Sequence, residues 1–186
     1  MSDLILQGNI VDLFTRNIYK GKVVIRDGVI SEIVECADAP DCYILPGLID
    51  SHVHIESSML TPSRFAELAV SRGTIGVVTD PHEIANVAGE RGVEFMIEDG
   101  SKVPLKFFFG APSCVPATSF ETSGAILDSE AVTRLLSRKD IWFLSEMMNF
   151  PGVVYDDAEV HSKLNASKRL KKPIDGHAPG LTGESL

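Results

Sequence analysis

Leu45-Pro46-Gly47-Leu48-Ile49-Asp50-Ser51-His52-Val53-His54-Ile55-Glu56 is a short apolar run that ends in two histidines one residue apart. In an extended chain residues i and i+2 point to the same side, so His52 and His54 aim both imidazoles at one point just past a strand end. Neutral imidazole is the commonest side-chain metal ligand, and two of them converging is what a metal ion requires. For an isolated pair, two solvated surface histidines would be the better explanation. Here a buried strand precedes the pair and small, polar, acidic residues follow it, which favours the metal reading.

Downstream of Gly47 the pattern is strand, loop, helix, repeated. Thr61-Pro62 opens a helix with a capping residue and a proline at the first helical position, and Gly73 stops it. Strands are predicted at Ile75–Asp80, Leu105–Phe109, Ile141–Glu146 and Pro173–His177. Helices are predicted near Gly89–Glu98, from Asp128 to about Ser137, and from Asp157 to Lys172. Alternating strands and helices imply right-handed crossovers and a parallel α/β sheet. An open doubly wound sheet and a (β/α)8 barrel both fit, although no G-x-G-x-x-G follows the first strand to support a dinucleotide fold. In either fold reactive side chains belong at the C-terminal strand ends. That rule selects His52 and His54, Asp80 with His82 and Glu83, the Ser113-Cys114 loop, Glu146, and His177. His161 falls mid-helix and is expected to be a solvated surface residue.

Upstream, residues 3–45 read as a small β unit. Leu4-Ile5-Leu6 and Asn9–Asp12 are short apolar pieces, and Asp27-Gly28 sits between two β-rich runs as a hairpin turn. Residues 1–46 are therefore expected to form one domain and residues 47–186 another.

The chain has 186 residues, 44% hydrophobic and 23% charged, with a net charge of −9. These values suit a globular protein and argue against a nucleic-acid partner, which needs a basic footprint. No apolar run approaches the ~20 residues of a membrane span, and the N-terminus lacks a signal-peptide pattern. Cys36, Cys42 and Cys114 are odd in number and without C-x-x-C spacing, as expected of reduced thiols in a cytoplasmic protein. A reactive loop thiol at Cys114 is the alternative for that residue.

A carboxylate such as Glu146, emerging from Trp142-Phe143-Leu144-Ser145, is costly unless it is ion-paired or bound to a cation. A rim salt bridge and a metal bridge are both compatible with it. For His177, Gly176 before it and Pro179-Gly180 after it suggest a rigid ligand loop. Asp80-Pro81-His82-Glu83 divides between a structural helix start, with Asp80 as cap, and a substrate-binding or supporting role. There is no H-E-x-x-H, P-loop or nucleophile elbow.

Pro46–His54 resembles the first-strand signature of the amidohydrolase superfamily. Four further stretches narrow the likeness: His54-Ile55-Glu56-Ser57-Ser58-Met59-Leu60, Thr79–Val87, Glu146-Met147-Met148-Asn149-Phe150-Pro151-Gly152-Val153 and Asp175–Gly180. Together with Ser113–Thr118 they resemble the adenine deaminase family of that superfamily. The resemblance implies a metal-dependent (β/α)8 barrel, of which about the first five β/α units are present, preceded by part of a small β-sandwich. It implies hydrolysis of adenine to hypoxanthine and ammonia, and a binuclear divalent centre of manganese or iron, with zinc as the alternative. His52 and His54 would hold one ion, Glu146 would bridge both, and His177 would hold the other. His82 and Glu83 would support catalysis, and Glu56, Ser58 and Asp80 would contact substrate. Dihydroorotase-like or hydantoinase-like hydrolysis of a cyclic amide is the nearest rival. In many superfamily relatives a carboxylated lysine bridges the metals, and Glu146 at that position favours the deaminase branch. A non-catalytic half-barrel that only binds a partner or a purine is the rival of a different class. A complete barrel typically needs about 250 residues, so the expectation is a truncated chain, itself nearly inactive, that self-associates or aggregates through an open sheet edge.

Overall fold

The computed structural model describes residues 3–118 and 120–183. The chain divides into two compact units, Met1–Gly47 and Leu48–Leu186.

The first unit is a four-stranded sheet of β1 (Leu4–Asp12), β2 (Asn17–Arg26), β3 (Val29–Glu35) and β4 (Tyr43–Ile44), in the order β3-β2-β1-β4. The hairpin joining β2 to β3 turns at Asp27 and Gly28, whose φ values of +50° and +79° are those a two-residue turn of this hand requires. The two apolar pieces expected near the N-terminus are one continuous strand instead. Gly8 lies between them because β4 passes so close that a Cβ there would fall 2.8 Å from the Cys42 carbonyl oxygen. Among the described residues the small β domain is one four-stranded sheet.

The second unit holds β5 (Leu48–Val53), β6 (Thr74–Thr79), β7 (Lys106–Pro112), β8 (Ile141–Met147) and β9 (Ile174–Gly176). All neighbours pair in parallel and the sheet order is β5-β6-β7-β8-β9, the order of the sequence. A doubly wound sheet reverses direction at a switch point, and this one does not. Every crossover steps the same way, so right-handed connections stack the helices on one face and the sheet curls as part of a (β/α) barrel.

Those helices are α1 (Pro62–Val70), α2 (His82–Ala88), α3 (Glu90–Gly100), α4 (Ser129–Leu136), α5 (Phe150–Val154) and α6 (Ala158–Arg169), with one 3-10 turn at Ile55–Ser58. The core lies between them and the sheet. Val77, Phe109, Ala111 and Leu144 of the strands meet Val93, Met96, Val132, Leu135 and Leu164 of the helices, all buried. Asp128 caps α4 as expected, accepting from the Ala131 N–H at 2.8 Å. Thr61 does not cap α1 through its side chain. Asp99, far away in sequence on α3, accepts the Ser63 N–H at 2.8 Å and does that work. The short helix α2 starts where Asp80-Pro81-His82-Glu83 allows a helix start, whereas α5 was not anticipated, because Pro151-Gly152 reads as a turn. His161 is half-buried rather than solvated, its Nε2 lying 3.1 Å from the Val153 carbonyl and tying α6 to α5.

Candidate metal centre

Five side chains converge at the C-terminal ends of the strands. His52 sits on β5 and His54 one residue beyond it, sharing a side as the extended spacing dictates. Asp80 follows β6, His82 opens α2, and Glu146 is the penultimate residue of β8.

His54 sets the proton inventory. Its Nδ1 lies 3.0 Å from the Asp80 backbone carbonyl, which can only accept, so Nδ1 carries the hydrogen. In the neutral ring Nε2 is then a bare lone pair. That lone pair lies 3.1 Å from His52 Nε2 and 3.5 Å from Glu146 Oε2. The other Glu146 oxygen lies 2.9 Å from His52 Nε2. His52 Nε2 can carry a hydrogen toward either neighbour, so a shared proton or a shared cation holds these atoms together. His54, Asp80, His82 and Glu146 each bring a ligand atom within 4.8 Å of the others, so the group could hold a metal ion. Its donors are imidazole nitrogens and carboxylate oxygens, a set that suits zinc, iron or manganese.

Around these atoms lies a second ring of contacts. Asp80 is 3% exposed, and a bare buried carboxylate would be prohibitive. It is satisfied by the Ser145 hydroxyl, which donates at 2.7 Å, and by His82 Nδ1 at 3.0 Å. The hydrogen bond that His82 donates to Asp80 pushes the His82 pKa up, burial pulls it back, and the charge of Glu146, 3.9 Å away, adds to the rise. Asp175 on β9 places an oxygen 3.7 Å from His52 Nδ1.

Glu56 and Glu83 line one flank. Glu56 accepts the Ile84 N–H at 3.2 Å, capping α2 from outside, while its other oxygen is buried without a partner among the described residues. Burial pushes the Glu56 carboxyl up, and the hydrogen bond from Ile84 pulls it part of the way back. Glu83 accepts from the Ser57 hydroxyl at 2.6 Å.

Of the residues singled out from sequence, His52, His54, Asp80, His82 and Glu146 are brought together. His177 is exposed on the segment after β9 and is not drawn into the group. Ser58 turns its hydroxyl to the Ile55 carbonyl at 2.6 Å, closing the 3-10 turn, whereas its neighbour Ser57 contacts Glu83. Asp80 caps no helix, since its oxygens are occupied by Ser145 and His82. Cys114 is 6% exposed and packed in the core beside Met147, so the reactive-loop reading is set aside. Ser145, Asp175 and Ser57 were overlooked. Only Ser145 carried a signal, a hydroxyl directly after the apolar run Ile141–Leu144 of β8.

The sequence pattern of the amidohydrolase family matches residues 43–185. The chain is also 59% identical over 180 residues to an adenine deaminase of Methanosarcina barkeri, covering 97% of this chain and 33% of that protein. It is 54% identical to an adenine deaminase of Salinibacter ruber, covering 97% and 33%, and 50% identical to one of Parabacteroides distasonis, covering 98% and 34%. The chain therefore spans about a third of the length of the curated relatives it matches.

Proposed function

The chain belongs to the amidohydrolase family, and from that premise we propose that its strand-end cluster serves the metal-dependent hydrolytic deamination of adenine to hypoxanthine and ammonia. The observation that carries the reading is the convergence of the His54 lone pair, His52 Nε2 and both Glu146 oxygens, ligand atoms gathered around one point. The substrate comes from the relatives, whose names specify adenine deaminase across nearly all of this chain.

In this proposal His52, His54 and Glu146 hold a binuclear divalent centre, manganese or iron before zinc. His177 takes part from the segment after β9, two residues beyond Asp175. A bound divalent cation supplies Lewis acidity and lowers the pKa of a coordinated water toward neutral.

The chain's own residues do the rest. Asp80 fixes the His54 ring through its backbone carbonyl and holds His82 through its carboxylate. His82 keeps a proton on Nδ1 between Asp80 and Glu146, beside the place where the leaving amine needs one. Glu56 and Glu83, the latter oriented by Ser57, would supply hydrogen bonds to the purine, and the raised carboxyl pKa would let Glu56 donate as well as accept.

Incubation of the metal-loaded protein, expressed from its full-length gene, with adenine, dihydroorotate and hydantoin tests the reading, with hypoxanthine and ammonia measured by chromatography. Adenine turnover that is lost in Glu146→Gln supports it. Turnover of a cyclic amide in place of adenine contradicts it.

A further inference from the structure

Lys163 is a buried cation that the proposed chemistry does not use. It lies on α6 between the core residues Val160 and Leu164 and is 8% exposed. Its ammonium donates to the Ser113 carbonyl at 2.9 Å and to the Leu127 carbonyl at 2.8 Å, both neutral partners. Burial pulls its pKa down, and Cys114 with the more distant carboxylates Glu159, Asp128 and Asp157 offsets only part of that. An apolar side chain would fill this position on the core face of α6 at no such desolvation cost.

The two carbonyls show what the ammonium accomplishes. Ser113 follows the end of β7 and Leu127 precedes α4, so Lys163 staples the two limbs of a long loop where they leave the barrel. The limbs also pair directly, the Leu127 N–H donating to the Val115 carbonyl at 2.9 Å. From Ser113 a second bond continues inward. Its hydroxyl, 2% exposed as a residue, lies 2.6 Å from the Glu146 backbone carbonyl and donates to it. On the other side of that peptide, Ser145 is pinned to Asp80. The backbone that presents Glu146 is thus held from both flanks, and Lys163 anchors one of them.

We infer that Lys163 is a positioning residue for the Glu146 carboxylate, acting through Ser113. The inference rests on Glu146 being a metal ligand. Ligating carboxylates depend on outer contacts, whose loss typically costs 10–100-fold in metal affinity.

Titration of the full chain with cobalt(II), read by its visible d–d absorption and by calorimetry, tests it. Lys163→Met and Ser113→Ala are each expected to weaken cobalt binding about tenfold and to change the absorption envelope. The double variant is expected to be no weaker than Lys163→Met alone, because both act along one path. Wild-type affinity and spectrum in Lys163→Met, alongside weakened binding in Glu146→Gln, overturn the inference and leave the metal site standing. Additive losses with an unchanged spectrum overturn it too, since they describe general loosening. Unaltered binding in Glu146→Gln defeats the site itself. Should Lys163→Met fail to fold by circular dichroism, Ser113→Ala decides alone: a loss supports the path, and wild-type binding ends it.

Discussion

A histidine whose Nδ1 faces a carbonyl has only one thing left to offer, the lone pair on Nε2. His54 is in that position, and the groups nearest its lone pair are His52 Nε2 and a Glu146 oxygen. Replacing it with alanine therefore removes a ligand atom together with the N–H that meets the Asp80 carbonyl. His54→Ala is expected to lower manganese affinity at least tenfold in calorimetry while leaving the melting temperature of the metal-free protein nearly unchanged, since the ring is partly exposed. Ser145 behaves in the opposite way. Its hydroxyl donates to the carboxylate of a residue 3% exposed, and hydrogen bonds to buried charges are worth about 1.5–3 kcal/mol. Ser145→Ala is expected to destabilise the fold by about 2 kcal/mol in urea unfolding, with or without metal. Much at this scale was legible. The i, i+2 histidines at the end of an apolar run announced a shared side, and a glutamate closing a buried strand announced a charge in need of a partner. Asp175 and Ser57 were not legible, because each matters through one contact made across the fold, to His52 and to Glu83, and neither leaves a local pattern.

Helix ends show the same division among elements. Asp128 caps its own helix from the position directly before it, and sequence alone predicts that contact. The start of α1 is capped by Asp99 and the start of α2 by Glu56, both from distant segments, so nothing next to either helix betrays them. Burial disfavours the Asp99 carboxylate, but the Ser63 N–H and hydroxyl, Lys102 and Thr61 outweigh it and hold its pKa far below the usual carboxylate range. A depressed pKa contributes stability that is present above the unfolded value of about 3.9 and is lost as pH falls toward the native one. Asp99→Ala is therefore expected to cost about 1–2 kcal/mol at pH 7. It is also expected to flatten the loss of stability between about pH 4 and pH 2 in acid unfolding curves. A variant that keeps the steep acid dependence of the wild type would assign that slope to other carboxylates.

For the whole molecule, the periodic return of strands was enough to read a parallel α/β sheet but not to choose between its two closures. Strand order makes the choice, and strand order is a property of pairing between distant segments. Among the described residues β5 and β9 each pair on one side only. Leu48 and Ile49 on β5 are 56% and 59% exposed. Unpaired strand edges with apolar side chains are templates for association. Light scattering of the 186-residue chain is expected to show self-association that rises with concentration, and a monodisperse monomer would count against the reading. The central claim, that the imidazoles and carboxylate gathered at the strand ends form a divalent-metal centre, is tested most directly by calorimetric titration with manganese(II) of the wild type and of Glu146→Gln. Saturable binding in the wild type that weakens at least tenfold in the variant is the predicted result; no saturable binding, or equal affinity in both proteins, would contradict it.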